Sequence, residues 1–206
     1  MNATELYELT VSERRRLAAL LAELSPEQWA ADSLCQGWRI REVVAHLTTS
    51  ETQSWPEFQA TVAAADGDIN VACDRTARAH TARFSDAELL DRYQRRVPSR
   101  WTPGPDAHQG ALAHEVIHGL DITVPLGLPG PEPHVAAAAL AGGSPESIAF
   151  FGVDLGGIAL VADDADLTVR SDPGDRGVTE VRMPAVDLVL AVTGRAPVPG
   201  HPSEAV

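Results

Sequence analysis

Apolar positions recur at intervals of three and four through LYELTVSERRRLAALLAEL, which predicts an amphipathic helix from about residue 4 to 24. Ser25, Pro26 and Gln28 then supply a capping serine, a first-turn proline and a glutamine at the third helical position, the start signal of a short helix through Trp29. Cys35-Gln36-Gly37-Trp38 breaks the pattern. RIREVVAHLTTSETQSWPEFQATVAAA resumes it and predicts one long helix over about 38–65, kinked at Pro56. Ser85 and Glu88 form a capping box opening a helix to about Val97, and GALAHEVIHGLDITV predicts a last long helix over about 108–124. Four helices joined by loops imply an antiparallel bundle.

The pattern changes after Leu126. GLPGPEP is a turn-rich linker, and two short Ala-rich helices are expected beyond it. IALVAD, DLTVRS and TEVRMP carry β-branched residues bounded by Gly, Asp or Pro, as strands do. PAVDLVLAVTGR closes the chain's patterned part with a helix begun at Pro184 and stopped near Gly194. The fold class is therefore α plus α/β, a helical bundle over 1–128 followed by a small α/β domain over 129–206.

On a helical wheel, Ala113, Ile117, Leu120 and Val124 share one apolar stripe of the last bundle helix, and His114, His118 and Asp121 form a second stripe beside it. Glu115 belongs to neither, so its role is incidental and Glu115→Gln should leave metal binding intact. In the helix after Trp38, the apolar arc is Ile40, Val43, Val44 and Leu47, with His46 at its edge beside Ser50 and Gln53. Both helices hold histidines at the rim of a buried face, and a facial site of His46, His114 and His118 is geometrically natural. Three neutral imidazoles suit Zn, Ni, Fe or Cu and leave a position open for water or substrate. A shared polar face without metal is the plainer account of the same spacing. His80, His108, His134 and His201 read as surface positions.

The letters His-Glu-x-x-His also flag a zinc protease, but that reading needs a third ligand downstream. Gly119 follows His118 directly, and Glu132 and His134 lie in the Pro/Gly-rich linker. There is no Gly-x-Ser-x-Gly elbow and no phosphate loop. Cys35 could serve as a nucleophile, although a packing role fits its turn better, and Trp38 reads as core.

Charge removes other classes. The chain carries a formal net charge of -13, and its 16 basic residues are all Arg. It has no basic face for phosphates, so no nucleic-acid partner is expected. The bias toward Arg over Lys, with much Ala, Gly and Pro, resembles that of a GC-rich genome such as an actinobacterial one. The start MNATELYELTVSERRR lacks the apolar stretch of a secretory signal, and no apolar run is long enough to span a bilayer. A cytoplasmic protein with Cys35 and Cys73 as free thiols, and no membrane partner, is expected.

SPEQW, CQGWRIREVVAHL, a last bundle helix with His118 three residues before Asp121, and MPAVDLVLAVTGR together resemble the mycothiol-dependent maleylpyruvate isomerase family, within the DinB-like metalloprotein superfamily. The resemblance spans nearly the whole chain. It implies a DinB-like four-helix bundle holding one divalent metal, usually zinc, with nickel or iron as alternatives, followed by a domain similar to sterol-carrier proteins. The family's first ligand falls on His46 and its last on His118. The middle ligand, commonly Glu in the isomerases, falls on His114. A neutral ligand there raises the charge of the centre by one and should make a bound water or thiol more acidic. It also departs from the isomerase pattern.

The resemblance implies a thiol-dependent metalloenzyme, in which a low-molecular-weight thiol such as mycothiol is held as thiolate and presented to a small electrophilic metabolite. The outcome would be isomerisation or thiol transfer. Asp121 could orient an imidazole or handle protons, and a solvated or capping role accounts for it equally. Arg195 could hold a substrate carboxylate if the small domain folds over the site, or stand as a surface arginine. Two alternatives remain open: a metal-dependent hydrolase using metal-bound water, and a non-enzymatic metal- or ligand-binding protein. The chain is expected to be a monomer or homodimer.

Overall fold

Asn2 opens the first helix. Its side chain accepts from the backbone of Thr4 and Glu5, and Glu5 accepts in return from the Asn2 backbone at 2.8 Å, which satisfies donors that a helix start otherwise leaves bare. The computed structural model describes residues 1–49, 53–104, 106–141, 148–170 and 178–200. Within these the chain divides into two compact units, Met1–Pro129 and Gly130–Val206.

The first unit is helical. α1 (Ala3–Ala22) is followed by α2 (Pro26–Ala30), where Ser25 and Gln28 cap one another, then by α3 (Ile40–Thr49) and α4 (Trp55–Ala63). The single helix expected over 38–65 is two helices. Ser54 takes an extended backbone, its amide donates to Glu57 Oε2 at 2.7 Å, and Pro56 sits in the first turn, so α4 has its own start. Ser50 lies outside the described residues.

α5 (Ile69–Arg83) was not predicted at all. Its buried positions are Ala72 and Ala77, while its large aliphatic residues, Ile69 and Val71, are exposed in the first turn, so no large apolar residue marks the stripe that packs on α3. α6 (Asp86–Arg95) begins at the Ser85–Glu88 capping box, and α7 (His108–Thr123) closes the unit. α7 packs on α1 and α3 and is buried nearly all round. The expected stripe ending at Val124 is corrected accordingly: Val124 is 40% exposed, while Leu112, Val116 and Ile122 are fully buried. Leu17, Leu21, Trp29, Ile40, Val43, Val44, Leu47, Leu89, Tyr93 and Ile122 form one continuous core.

The second unit holds α8 (Pro133–Leu140), β1 (Ile158–Ala162), β2 (Thr168–Arg170), β3 (Thr179–Met183) and α9 (Ala185–Val192). The second Ala-rich helix expected before β1 falls largely on 142–147, outside the described residues. β1 is central: it pairs antiparallel with β2, setting Leu160 opposite Val169, and parallel with β3, setting Leu160 opposite Val181. α9 packs on β1 and α8, covering the apolar side of the sheet. Among the described residues, no helix is long and apolar enough to cross a membrane.

Candidate metal centre

The site begins with the turn before α3. Trp38 N donates to the Cys35 carbonyl at 2.9 Å across a four-residue turn, with Gly37 at φ 76° in its third position, where a side chain would be strained. Ser33 holds the turn from below: its hydroxyl donates to the Trp38 carbonyl at 2.8 Å and accepts from Cys35 N at 3.1 Å. Arg39 then grips buried Glu42 through Nε at 2.9 Å and Nη2 at 2.7 Å, fixing the first turn of α3. One turn further on, His46 faces α7.

Three imidazoles converge there. His46 Nε2 and His114 Nε2 lie 3.0 Å apart, and the ring centroid of His118 is 4.8 Å from each of the other two. One ring nitrogen from each of the three lies within 4.8 Å of the others. Ligands of a four-coordinate ion at about 2.0–2.1 Å stand about 3.3 Å apart, close to the observed Nε2 separation. Two neutral rings can share only one proton between those nitrogens, whereas a cation takes a lone pair from each. His114 Nδ1 is also buried, with no hydrogen-bond partner among the described residues. The donor set fits a divalent metal of the zinc type.

The electrostatics agree. Burial, and then the charges of His118 and Arg96, hold His46 well below the ordinary imidazole value; His114 is lowered by burial, then by His118, His46 and Arg96. Both rings are therefore neutral at physiological pH and have lone pairs to offer.

Asp121 sits behind His118. Its Oδ2 is 2.8 Å from His118 Nδ1 and accepts the Cys35 thiol at 3.0 Å, and its carbonyl accepts from Leu34 N at 3.1 Å. A carboxylate only accepts, so His118 carries its proton on Nδ1 and keeps Nε2 for the cluster. Asp121 is fully buried, which sets aside the solvated reading. Cys35 Sγ also touches His118 Nδ1 at 4.0 Å. This turn residue, read from sequence as packing, is part of the site.

Two tryptophans flank the cluster. Trp38 packs against His46 at a tilt of 51° with centroids 5.3 Å apart, and donates through Nε1 to Asp74 on α5 at 2.7 Å. Trp101 lies 5.5 Å from His114. The loop that carries Trp101 approaches α7 at Gly110, where a Cβ would meet Pro103 Cγ at 2.8 Å. The only sequence signal for this contact is a glycine inside a helical pattern.

Glu115 is not incidental. Its carboxylate accepts from Arg14 Nε at 2.9 Å, from Arg96 Nη2 at 2.5 Å and Nη1 at 3.1 Å, and from the Tyr93 hydroxyl at 3.0 Å, with no exposed surface. Burial pushes its pKa up, but Arg96 and Arg14 outweigh that and hold it below the ordinary carboxylate value. A carboxylate so occupied is unavailable as the base of a protease.

Arg195 lies in the second unit, past α9. Its Nη1 donates to the Thr193 carbonyl at 2.9 Å and its guanidinium lies 5.9 Å from the Phe151 ring centroid.

The family model described as the mycothiol maleylpyruvate isomerase N-terminal domain matches residues 11–123. The chain belongs to that family. No curated protein and no solved structure matches it. The span assigned to the mycothiol maleylpyruvate isomerase N-terminal domain contains Cys35, His46, His114, Glu115, His118 and Asp121, and leaves out Arg195.

Proposed function

We propose that His46, His114 and His118 hold one divalent metal ion, zinc in the first instance, and that the chain is a mycothiol-dependent isomerase or thiol transferase acting on a small electrophilic metabolite. The observation that carries this reading is the 3.0 Å approach of His46 Nε2 to His114 Nε2 with His118 beside them, inside the span matched by the family. The helical unit is proposed to be a DinB-like four-helix arrangement, and the second unit a relative of sterol-carrier proteins.

A divalent ion bound by three neutral nitrogens supplies Lewis acidity that favours the thiolate form of a thiol it meets. This chain's own residues do the rest. Asp121 fixes the tautomer and orientation of His118 and can receive a proton at Oδ2, where the Cys35 thiol already donates. Trp38 and Trp101 shield the imidazoles from water on two sides. Arg195 is proposed to hold a substrate carboxylate.

A thermal-shift series tests this reading. Zinc should raise the melting temperature of the metal-free chain, and mycothiol should raise it further only when zinc is present. Stabilisation by zinc with no response to the thiol would remove the thiol and leave a metal-binding protein.

A further inference from the structure

We propose that Cys35, His118 and Asp121 form a second cation site, selective for thiophilic divalent ions, on the opposite edge of the His118 ring from His46 and His114. The site uses different donor atoms from the three-histidine cluster and stands whether or not that cluster is filled. Its three atoms form a closed triangle: Cys35 Sγ to Asp121 Oδ2 is 3.0 Å, Asp121 Oδ2 to His118 Nδ1 is 2.8 Å, and Sγ to Nδ1 is 4.0 Å. A tetrahedral ion with sulfur at about 2.3 Å and nitrogen or oxygen at about 2.0–2.1 Å needs edges of roughly 3.4–3.6 Å. Every observed edge is within about 0.6 Å of that, a shift open to a cysteine on a turn for the two sulfur edges and to side-chain rotation of His118 and Asp121 for the third.

Charge favours this site. A thiolate and a carboxylate neutralise a dication, which a buried location requires. The three-histidine cluster supplies no negative charge, and behind it two buried arginines, Arg14 and Arg96, share the one carboxylate of Glu115. A soft ion, which prefers sulfur, therefore goes to Cys35 first, whereas a borderline ion can use either donor set. Binding displaces the thiol proton of Cys35 to solvent. His118 gives up its Nδ1 proton as well, either to its own Nε2 when that nitrogen is free or to solvent when Nε2 holds a metal. In the second case His118 bridges two ions.

Anaerobic titration of the full chain with cobalt(II) tests the proposal, because a Co–thiolate bond gives a near-ultraviolet charge-transfer band that a Co–imidazole bond does not. The band is expected in the wild type. It should vanish in Cys35→Ser and persist in Cys73→Ser, whose thiol lies on α5. It should also persist in His46→Ala, which lacks the first cluster. Asp121→Asn should need at least tenfold more cobalt to reach the same band. Cobalt bound with no charge-transfer band would overturn the second site and leave the three-histidine reading standing. A fall in cobalt stoichiometry from about two ions to about one in His46→Ala, with the charge-transfer band and its accompanying visible bands kept, separates the two. Retention of the band in a Cys35→Ser protein of native circular dichroism would assign it to Cys73 and overturn the proposal.

Discussion

Arg14 Nε on α1 and Glu115 Oε1 on α7 lie 2.9 Å apart, and neither side chain has any surface exposed to solvent. Arg96 and Tyr93 bind the same carboxylate, so one glutamate joins α1, α7 and the end of α6. The contact sits immediately beside His114 in the chain, and it anchors the helix that carries two of the three histidines.

Removing that carboxylate leaves two buried guanidiniums uncompensated. Glu115→Ala is therefore expected to destabilise the chain by about 3–5 kcal/mol, read as a shift of the urea midpoint. Glu115→Gln restores hydrogen bonds without charge and should fall in the same direction by less. A folded fraction of either variant should still bind metal, because no ligand is touched. A loss below about 1 kcal/mol in Glu115→Ala would show that the cluster contributes no more than a surface pair.

Each histidine of the cluster carries its own test. In a Cys35→Ser background, which leaves the three-histidine centre as the site under test, purified protein should contain about one metal per chain, and His46→Ala, His114→Ala and His118→Ala should each lower that occupancy by elemental analysis. In the same background, Asp121→Asn should keep the three-histidine site but weaken zinc there about 10–100-fold in a chelator competition, because it loosens His118 without removing one of that site's three ligands. Full occupancy in all three alanine variants would refute the centre.

Stability of the metal-free chain should fall in acid in two stages. His46 and His114 are held well below the ordinary imidazole value of 6.5, so between that value and their own the unfolded chain binds protons that the folded chain does not. Stability rises with pH wherever the unfolded state binds more protons. The full contribution is present above about pH 6.5 and is lost progressively as pH falls from there toward the folded values. Glu115, lowered from 4.5, adds a loss of the same sign in the acid range below that value. Urea midpoints measured from about pH 8 down to about pH 5 check the first stage, and a flat profile would contradict neutral buried imidazoles.

Gly37→Ala isolates the turn. The nearest atom to the new Cβ is Arg78 Nη2 at 3.9 Å, so there is room, and the cost is that of the left-handed backbone alone. A loss of about 1–2 kcal/mol is expected, with altered tryptophan fluorescence as Trp38 shifts against His46. Gly110→Ala differs in kind, because its Cβ collides with Pro103 and must displace the loop that bears Trp101.

Helices with large apolar residues or capping boxes were legible: α1, α2, α3, α6 and α7 begin or run where spacing and caps place them. α5 was not, because a helix can be buried through alanines when its neighbour comes close, and alanine carries little periodic signal. The division of 38–65 into α3 and α4 was readable in Ser54, Pro56 and Glu57, where a capping box outweighs continuous periodicity.

The same boundary runs through the site. By itself the sequence determined that His114, His118 and Asp121 share one face of a helix, and that His46 stands at the rim of another, because a 3.6-residue period is a local property of the backbone. Only the tertiary structure decided that these faces meet, that Cys35 reaches Asp121 from a turn 86 residues away, and that Glu115 is claimed by Arg14 and Arg96. Those contacts depend on how α1, α3, α6 and α7 pack, and no local spacing encodes which buried charge will find which partner.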